Sequence, residues 1–521
     1  MEKKFNTRGL CVPSKHYMVD ISDKLVQIKT LIDAEEYFTI NRGRQYGKTT
    51  TISHLRRFLL PEYTVVSISF EGFSNAILSS EKLFCQEFLN RCVNYLEKSG
   101  ASSEICSAWK NNHVNNFSTL DGHITNVCRE SSVVLMIDEV DKANNYHVFL
   151  DFLNMLCSKY LERADGMDFT FHSVILAGVY DIRNIKLKMI DDGYYKPEGE
   201  ERKVGSPWNI AVNFDVDMSF SPNEIKTMLD DYEKDHQTGM ELTEISEEIY
   251  DYTSGYPFLV SRICQCVHEK LDKNWTRKGI QKAIKIILTE KNMLFDDLIK
   301  NLVNDSDLSD FIYQLLIKGR TYSYNVYHHL IEKGVQYGYF KDVEGRVKIA
   351  NKIFEIQLLE YFIALDETAK KEEKTNVVQK DVVQNGRFNM ELCLEKFTLH
   401  YGEIFTQKDI KFLEKHGRLI FLTYIRPLIN GQGFYHIESQ TTDERQMDLI
   451  IDFGTDQFIL ELKIWRGEQY QQEAYEQLAG YLEQKNAKKG YLLTFDFRSM
   501  KKEKKIGWIT VGDKEIFEVQ V

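Results

Sequence analysis

The stretch Ile40-Asn41-Arg42-Gly43-Arg44-Gln45-Tyr46-Gly47-Lys48-Thr49-Thr50 constrains the fold of this chain more than any other. An apolar, strand-like run from Glu36 to Ile40 precedes it, and a helical pattern from Thr51 to Leu60 follows. Strand, glycine-containing loop, Lys-Thr and helix is the order that a triphosphate requires. Backbone N–H groups at a helix N-terminus, unobstructed where glycine lacks a Cβ, can surround a β-phosphate. In that arrangement Gly43, Arg44, Gln45, Tyr46, Gly47 and Thr50 belong to the phosphate cradle. Lys48 reaches the β/γ oxygens, and the Thr49 hydroxyl holds Mg²⁺. One position departs from the usual G-x-x-x-x-G-K-[ST]. The first glycine falls on Arg42, leaving the shorter Gly43-x-x-x-Gly47-Lys48-Thr49.

The acids that such a loop needs lie about ninety residues on, in Val133-Val134-Leu135-Met136-Ile137-Asp138-Glu139-Val140-Asp141. A continuous aliphatic run ending in acids reads as a strand buried on both faces of a parallel sheet. Open α/β sheets place ligands at the carboxyl ends of their strands. Asp138 is therefore placed to bind Mg²⁺ through water, and Glu139 to polarise the attacking water. Thr64 to Phe70 and Ser173 to Gly178 supply two more strands, with helical crossovers such as Glu81 to Lys98 and His147 to Tyr160. Asp181 and Arg183, just past the last strand, stand where a γ-phosphate sensor belongs. The fold class expected is α/β.

A second constellation lies near the C-terminus. Met447 to Phe453 and Gln457 to Ile464 read as two strands joined by a turn at Gly454-Thr455-Asp456. Glu461 and Lys463 are two residues apart and point to one face of the sheet. Asp448, near the middle of the neighbouring strand, comes beside Glu461 on hairpin pairing. Two carboxylates, a lysine and the backbone carbonyl of Leu462 make an oxygen-rich site for Mg²⁺, or Mn²⁺, suited to phosphodiester cleavage. A helix from Gln469 to Gln484 follows, with Gln477 and Tyr481 four residues apart on one face. Gly490 to Phe495 reads as the next strand.

These motifs, together with Ser206 to Val212, Ser254 to Val260 and Gly417 to Leu422, resemble the bacterial AAA-ATPase-like proteins that carry a C-terminal PD-(D/E)XK nuclease domain. The likeness covers nearly the whole chain. It implies an ATPase of the signal-transduction and archaeal branch of the AAA+ class, with Lys48, Thr49, Asp138 and Glu139 serving ATP. It implies a nuclease triad of Asp448, Glu461 and Lys463, and it matches Gln477 and Tyr481 to the extra motif of RecB-type members. Such members often add four cysteines for an iron–sulfur cluster. Only Cys393 lies in the C-terminal third here, so no cluster is expected.

At 521 residues the chain has room for three to four domains. The expected division is an ATPase core over 1–221, a helical lid over 222–305 broken at Gly255-Tyr256-Pro257, and a winged-helix-like module over 306–365. A charged linker then covers 366–384, and the nuclease covers 385–521. No run approaches the length of a membrane span, and Met1 to Asn6 lacks an apolar signal segment. Nine cysteines without regular pairing point to free thiols in a reducing cytoplasm.

The formal net charge of −12 works against non-specific nucleic-acid binding, although it does not forbid a local basic surface. The best such surface is Arg498 to Lys505 with Lys485, Lys488 and Lys489. The sequence-level expectation is an ATP-regulated nuclease acting on nucleic acid, DNA first, in bacterial defence. A homo-oligomer and a protein trigger or partner are compatible with it. The rival is a regulatory ATPase switch whose nuclease-like domain only binds nucleic acid or a protein.

Overall fold

Four strands carrying apolar residues on both faces form the first sheet. They are β1 (Phe38–Asn41), β2 (Thr64–Ser69), β3 (Val133–Asp138) and β4 (Ser173–Gly178). All pair in parallel, in the order β1-β4-β3-β2, and a parallel bridge joins Phe38 to Val212 at the β1 edge. The acid-bearing strand β3 is thus one strand removed from the strand that leads into the phosphate loop. Alternate residues of β3 and β4 explain the unbroken apolar run. Leu135, Ile137, Val174 and Leu176 pack with Phe84, Phe88 and Phe152, while Val134, Met136, Ile175 and Ala177 pack with Ile28, Leu55 and Leu59.

This computed structural model describes residues 2–111, 113–179, 208–317, 320–369, 382–384, 387–404, 414–429, 433–439, 447–496 and 505–521. The chain divides into two compact units. The first comprises Met1–Ser246, Gly255–Gln265 and Gln336–Gly338, and the second comprises Glu247–Ser254, Cys266–Val335 and Tyr339–Val521. No helix among the described residues is long and apolar enough to cross a membrane.

The helical stretch expected from 222 onward begins at Pro222, where Ser221 and Glu224 form a reciprocal capping box. Five helices follow one another: Pro222–His236, Leu242–Thr253, Pro257–Lys270, Arg277–Thr289 and Met293–Asn304. Gly255 makes the break before Pro257. Its φ is 71°, and a Cβ there would lie 2.0 Å from the carbonyl oxygen of Phe220. In the second unit β5 (Phe340–Val343) and β6 (Arg346–Ile349) pair across Glu344 and Gly345, both at positive φ. The helix Lys352–Ala369 runs past residue 366, so the first part of the expected linker is helical. Its far end is strand, since β7 (Val383–Gln384) pairs with β8 (Arg387–Phe388). Residues 370–381 lie outside the described residues.

The second sheet contains β9 (Gly433–Ser439), β10 (Met447–Phe453), β11 (Asp456–Ile464), β12 (Lys489–Phe495), β13 (Ile506–Val511) and β14 (Lys514–Gln520), in the order β13-β14-β12-β11-β10-β9. Pairing is antiparallel from β9 to β11, parallel from β11 through β12 to β14, and antiparallel at β13. The helix Glu468–Gln484 covers one face, burying Ala474, Leu478 and Leu482 against Ile450, Ile459, Leu492 and Ile516. The helix Glu414–Ile429 lies on the other face, with Gly417 packed tightly against it. A Cβ at Gly417 would lie 2.3 Å from the Phe495 ring.

Gly417→Ala is therefore expected to destabilise this unit by about 1–3 kcal/mol through overpacking, despite the better helix propensity of alanine. Gly480, also helical, has nothing within 4 Å of its Cβ direction. There the same change should stabilise by up to about 1 kcal/mol. Urea melts of the two variants check the pair, and equal midpoints would contradict the close approach.

Candidate active sites

At the end of β1 the chain turns through the phosphate loop into the helix Lys48–Leu59. Gln45 and Gly47 have φ of 58° and 80°, whereas Arg42 and Gly43 do not lie at positive φ. That accounts for an arginine where the first glycine is usual, since the position asks for no left-handed backbone. Instead Arg42 braces the loop. Its guanidinium donates to the carbonyls of Asn41 (2.9 Å) and Val216 (3.1 Å) and lies 5.7 Å from the Phe214 ring centroid. Gly47, the residue before the helix, offers no side-chain cap to the first N–H groups.

Lys48 Nζ donates to the carbonyl oxygens of Arg42 (2.7 Å) and Gly43 (3.0 Å). Burial pulls its pKa below that of an ordinary lysine, partly offset by Asp141, Glu139 and Asp138. Thr49 Oγ1 donates to Asp138 Oδ2 at 2.8 Å, so the two expected magnesium ligands already touch, from the start of the helix to the end of β3. Glu139 follows in the left-handed region, φ 55°, with its N–H donated to Asp138 Oδ1. Non-glycine residues hold that conformation only when their surroundings impose it. Burial, then the neighbouring Asp138, raises the Glu139 pKa. Asp141 accepts from the Val179 N–H at 2.6 Å and so ties this turn to the end of β4. Thr50 Oγ1 accepts from the Cys11 N–H at 3.3 Å. Arg44 is exposed, and its carbonyl accepts from the Tyr256 hydroxyl, while Tyr46 meets the Tyr256 ring edge-on at 4.7 Å. Arg183, with Asp181, lies outside the described residues.

The groups needed for a magnesium nucleotide are thus present: uncapped amides, a half-buried lysine, and a hydroxyl–carboxylate pair. They fit ATP with Mg²⁺ chemically, with Asp138 and Thr49 the candidate ligands.

In the second sheet Glu461 and Lys463 are each 2% exposed, with Nζ 2.8 Å from Glu461 Oε1. Asp448 is the second residue of β10 rather than central in it, and it pairs with Glu438 of β9. The β10–β11 register pairs Leu449 with Leu460; continued by one residue, it sets Asp448 opposite Glu461. The backbone therefore brings Asp448 and Glu461 to one sheet face, and Leu462 follows Glu461 directly. A carboxylate pair with a backbone carbonyl is a donor set that hard divalent cations accept. Among the described residues no three His, Cys, Asp or Glu side chains converge as a metal site.

Gln477 is half-buried, and Tyr481 packs in the core between helix and sheet with Lys485 5.6 Å from its ring. A second Gln-x₃-Tyr on the same helix makes the polar contacts that sequence reasoning missed. Gln471 Nε2 donates to Thr494 Oγ1 (3.0 Å) and Glu518 Oε1 (2.7 Å), and Tyr475 donates its hydroxyl to Glu518 Oε2 at 2.6 Å. Gln520 is a third donor to Glu518, at 3.0 Å. Glu518 and Gln520 are two apart on β14, a polar alternation after the apolar Ile516 and Phe517 that could have signalled the cluster. Of the expected basic surface, 498–504 lies outside the described residues, while Lys489 stands 4.7 Å from the Trp508 ring.

Residues 434–506 match the PD-(D/E)XK nuclease superfamily. No curated protein matches the chain. Among solved structures the chain is similar to a Walker-type ATPase of Pyrococcus abyssi, at 12% identity and a TM-score of 0.46, covering 68% of this chain and 99% of that one. It is also similar to the ORC2 protein of Aeropyrum pernix at 11% identity and a TM-score of 0.35, covering 69% and 98%. For Cdc6p of Pyrobaculum aerophilum the values are 14% and 0.29, covering 70% and 98%. On the geometry of its phosphate loop and on the superfamily match, the chain joins a P-loop ATPase-like fold to a C-terminal PD-(D/E)XK nuclease superfamily domain.

Proposed function

We propose that the protein is an ATP-hydrolysing switch coupled to a metal-dependent nuclease that cleaves nucleic-acid phosphodiesters, DNA first. The observation that carries this reading is the buried Glu461–Lys463 pair, 2.8 Å apart on one sheet face; the Leu449–Leu460 pairing, extended by one residue, sets Asp448 opposite Glu461. A buried ion pair is weak as a stabilising device, because desolvation offsets its attraction. Its retention beside a second carboxylate makes sense as chemistry. A binding-only descendant, the rival reading, would have no need of all three.

A bound Mg²⁺ or Mn²⁺ supplies Lewis acidity and an activated water at the nuclease site. Asp448, Glu461 and the Leu462 carbonyl would hold it. Lys463 offers a positive charge to the phosphate as it becomes pentavalent. Gln477 and Tyr481 lie on the covering helix, where the half-buried Gln477 offers its amide to orient the strand and Tyr481 packs beneath it. In the ATPase, Gly43 to Thr50 cradle the phosphates, Glu139 orients the attacking water, and Arg183 senses the γ-phosphate. The helices from Pro222 act as the lid of an AAA+ module, and the β5–β6 hairpin as the wing of a winged helix. The biological setting proposed is cytoplasmic defence against foreign DNA, as a homo-oligomer answering a protein trigger.

Coupling requires that the nuclease behave differently in the ATP and ADP states. The Glu139→Gln protein with ATP bound should change the cleavage rate by at least about fivefold, the low end of ordinary coupling energies. Initial rates on a labelled oligonucleotide, with and without ATP, measure it. Identical rates for wild type, Lys48→Ala and Glu139→Gln would mean two independent enzymes on one chain.

A further inference from the structure

Beside the Glu461–Lys463 pair lies an aromatic ring that the proposed chemistry leaves unused. Tyr470 sits in the first turn of the helix Glu468–Gln484, partly exposed. Two cations stand over its ring. Lys463 Nζ is 5.9 Å from the centroid and the Arg466 guanidinium carbon 5.5 Å. The first cation is buried and the second exposed.

The backbone explains how one ring comes to serve both. The N–H of Trp465 donates to the Phe495 carbonyl at 2.9 Å, which fixes the end of β11 against β12. Gly467 at φ 126° then turns the chain into the helix, so Arg466 leaves the sheet next to Tyr470. Glu468, the first residue of the helix, is exposed and pairs with Lys505 at 3.8 Å.

Two charges at these distances from one centroid lie within about 11 Å of each other. Each nucleic-acid strand carries one charge per about 3.4 Å of axis. A strand whose phosphate meets Lys463 therefore has a neighbouring phosphate within reach of Arg466. Cation–π attraction to the ring holds the guanidinium in place and leaves N–H groups for contact with phosphate. The ring also orders the arginine before the strand arrives, which lowers the entropy lost on binding.

We propose that Arg466, seated on Tyr470, binds the phosphate adjacent to the one cleaved at Glu461 and Lys463, a positioning subsite for the nucleic-acid backbone. The subsite rests on the nuclease reading. It recognises phosphodiester backbone, so DNA and RNA share the chemistry, and the experiment separates them. Binding of full-length protein to fluorescent single- and double-stranded DNA and RNA is measured across a salt series in a Glu461→Gln background, where the strand stays whole. Adding Arg466→Ala should lower the slope of log affinity against log salt by about one phosphate and weaken low-salt binding about tenfold. Arg466→Lys should restore the slope but not the full affinity. Tyr470→Leu should keep the slope and weaken binding about threefold, the loss of the cation–π contact alone. In the cleaving protein Arg466→Ala should raise KM with kcat little changed. If the wild type binds and cleaves while Arg466→Ala keeps the parental slope and affinity, the subsite is wrong and the nuclease reading stands. If the wild type neither binds nor cleaves any of the four strands, the nuclease reading fails and takes the subsite with it.

Discussion

Glu461→Gln and Lys463→Met should each lower phosphodiester cleavage by at least about a hundredfold, since the first removes a proposed metal ligand and the second the charge offered to the pentavalent phosphate. The two side chains are 2% exposed and 2.8 Å apart, so truncating one to alanine would also strand its partner as a buried charge. That alone costs about 3–5 kcal/mol and could imitate loss of function by unfolding. The near-isosteric variants limit the damage, and the double variant separates the effects further. Glu461→Gln/Lys463→Met should regain most of the stability lost by either single change and none of the activity. A thermal melt beside a cleavage assay reads both quantities. Cleavage that survives in both single variants would remove the assignment.

Lys48→Ala is expected to weaken ATP binding at least about tenfold, by removing a charge-assisted contact from a half-buried position. Glu139→Gln should bind ATP nearly as well as the wild type and hydrolyse it about a hundredfold more slowly, because only the attacking water depends on it. Calorimetry beside phosphate release distinguishes the two. A third variant uses the backbone. Glu139 is held at φ 55°, a conformation that costs a non-glycine residue roughly 1–2 kcal/mol. Glu139→Gly should therefore leave stability unchanged or raised while abolishing hydrolysis, the signature of strain kept for function. Equal loss of binding in Lys48→Ala and Glu139→Gln would move the base elsewhere, with Asp141 the next carboxylate on the same turn.

The parts of this molecule that were legible in its sequence are those whose signal is local. The strand β3 announced itself because both faces are buried, and the hairpin β10–β11 because the polar turn interrupts two apolar runs. Glu461 and Lys463 could be set on one face from the two-residue strand period alone. What stayed hidden depends on distant partners. Nothing near Arg44 foretells that its carbonyl meets Tyr256, 212 residues away. The buried carboxylate of Glu518 is satisfied by Gln471 and Tyr475, more than forty residues earlier, and the spacing rule that singled out Gln477 and Tyr481 fits that pair equally well. Arg42 looked like a defect in the loop because a motif records residue types, whereas the chain obeys φ. The charged composition from 366 suggested a linker, yet the helix from Lys352 continues through Ala369, its exit not marked by any glycine or proline.

The central claim is that one chain couples ATP to phosphodiester cleavage. Incubation of the purified protein with labelled single- and double-stranded DNA and RNA, with and without ATP and Mg²⁺, tests it most directly. The account predicts cleavage that needs the divalent cation, disappears in Glu461→Gln, and changes at least about fivefold in rate when ATP is supplied. Binding of nucleic acid without cleavage of any strand under any of these conditions would contradict it and leave the regulatory switch in its place.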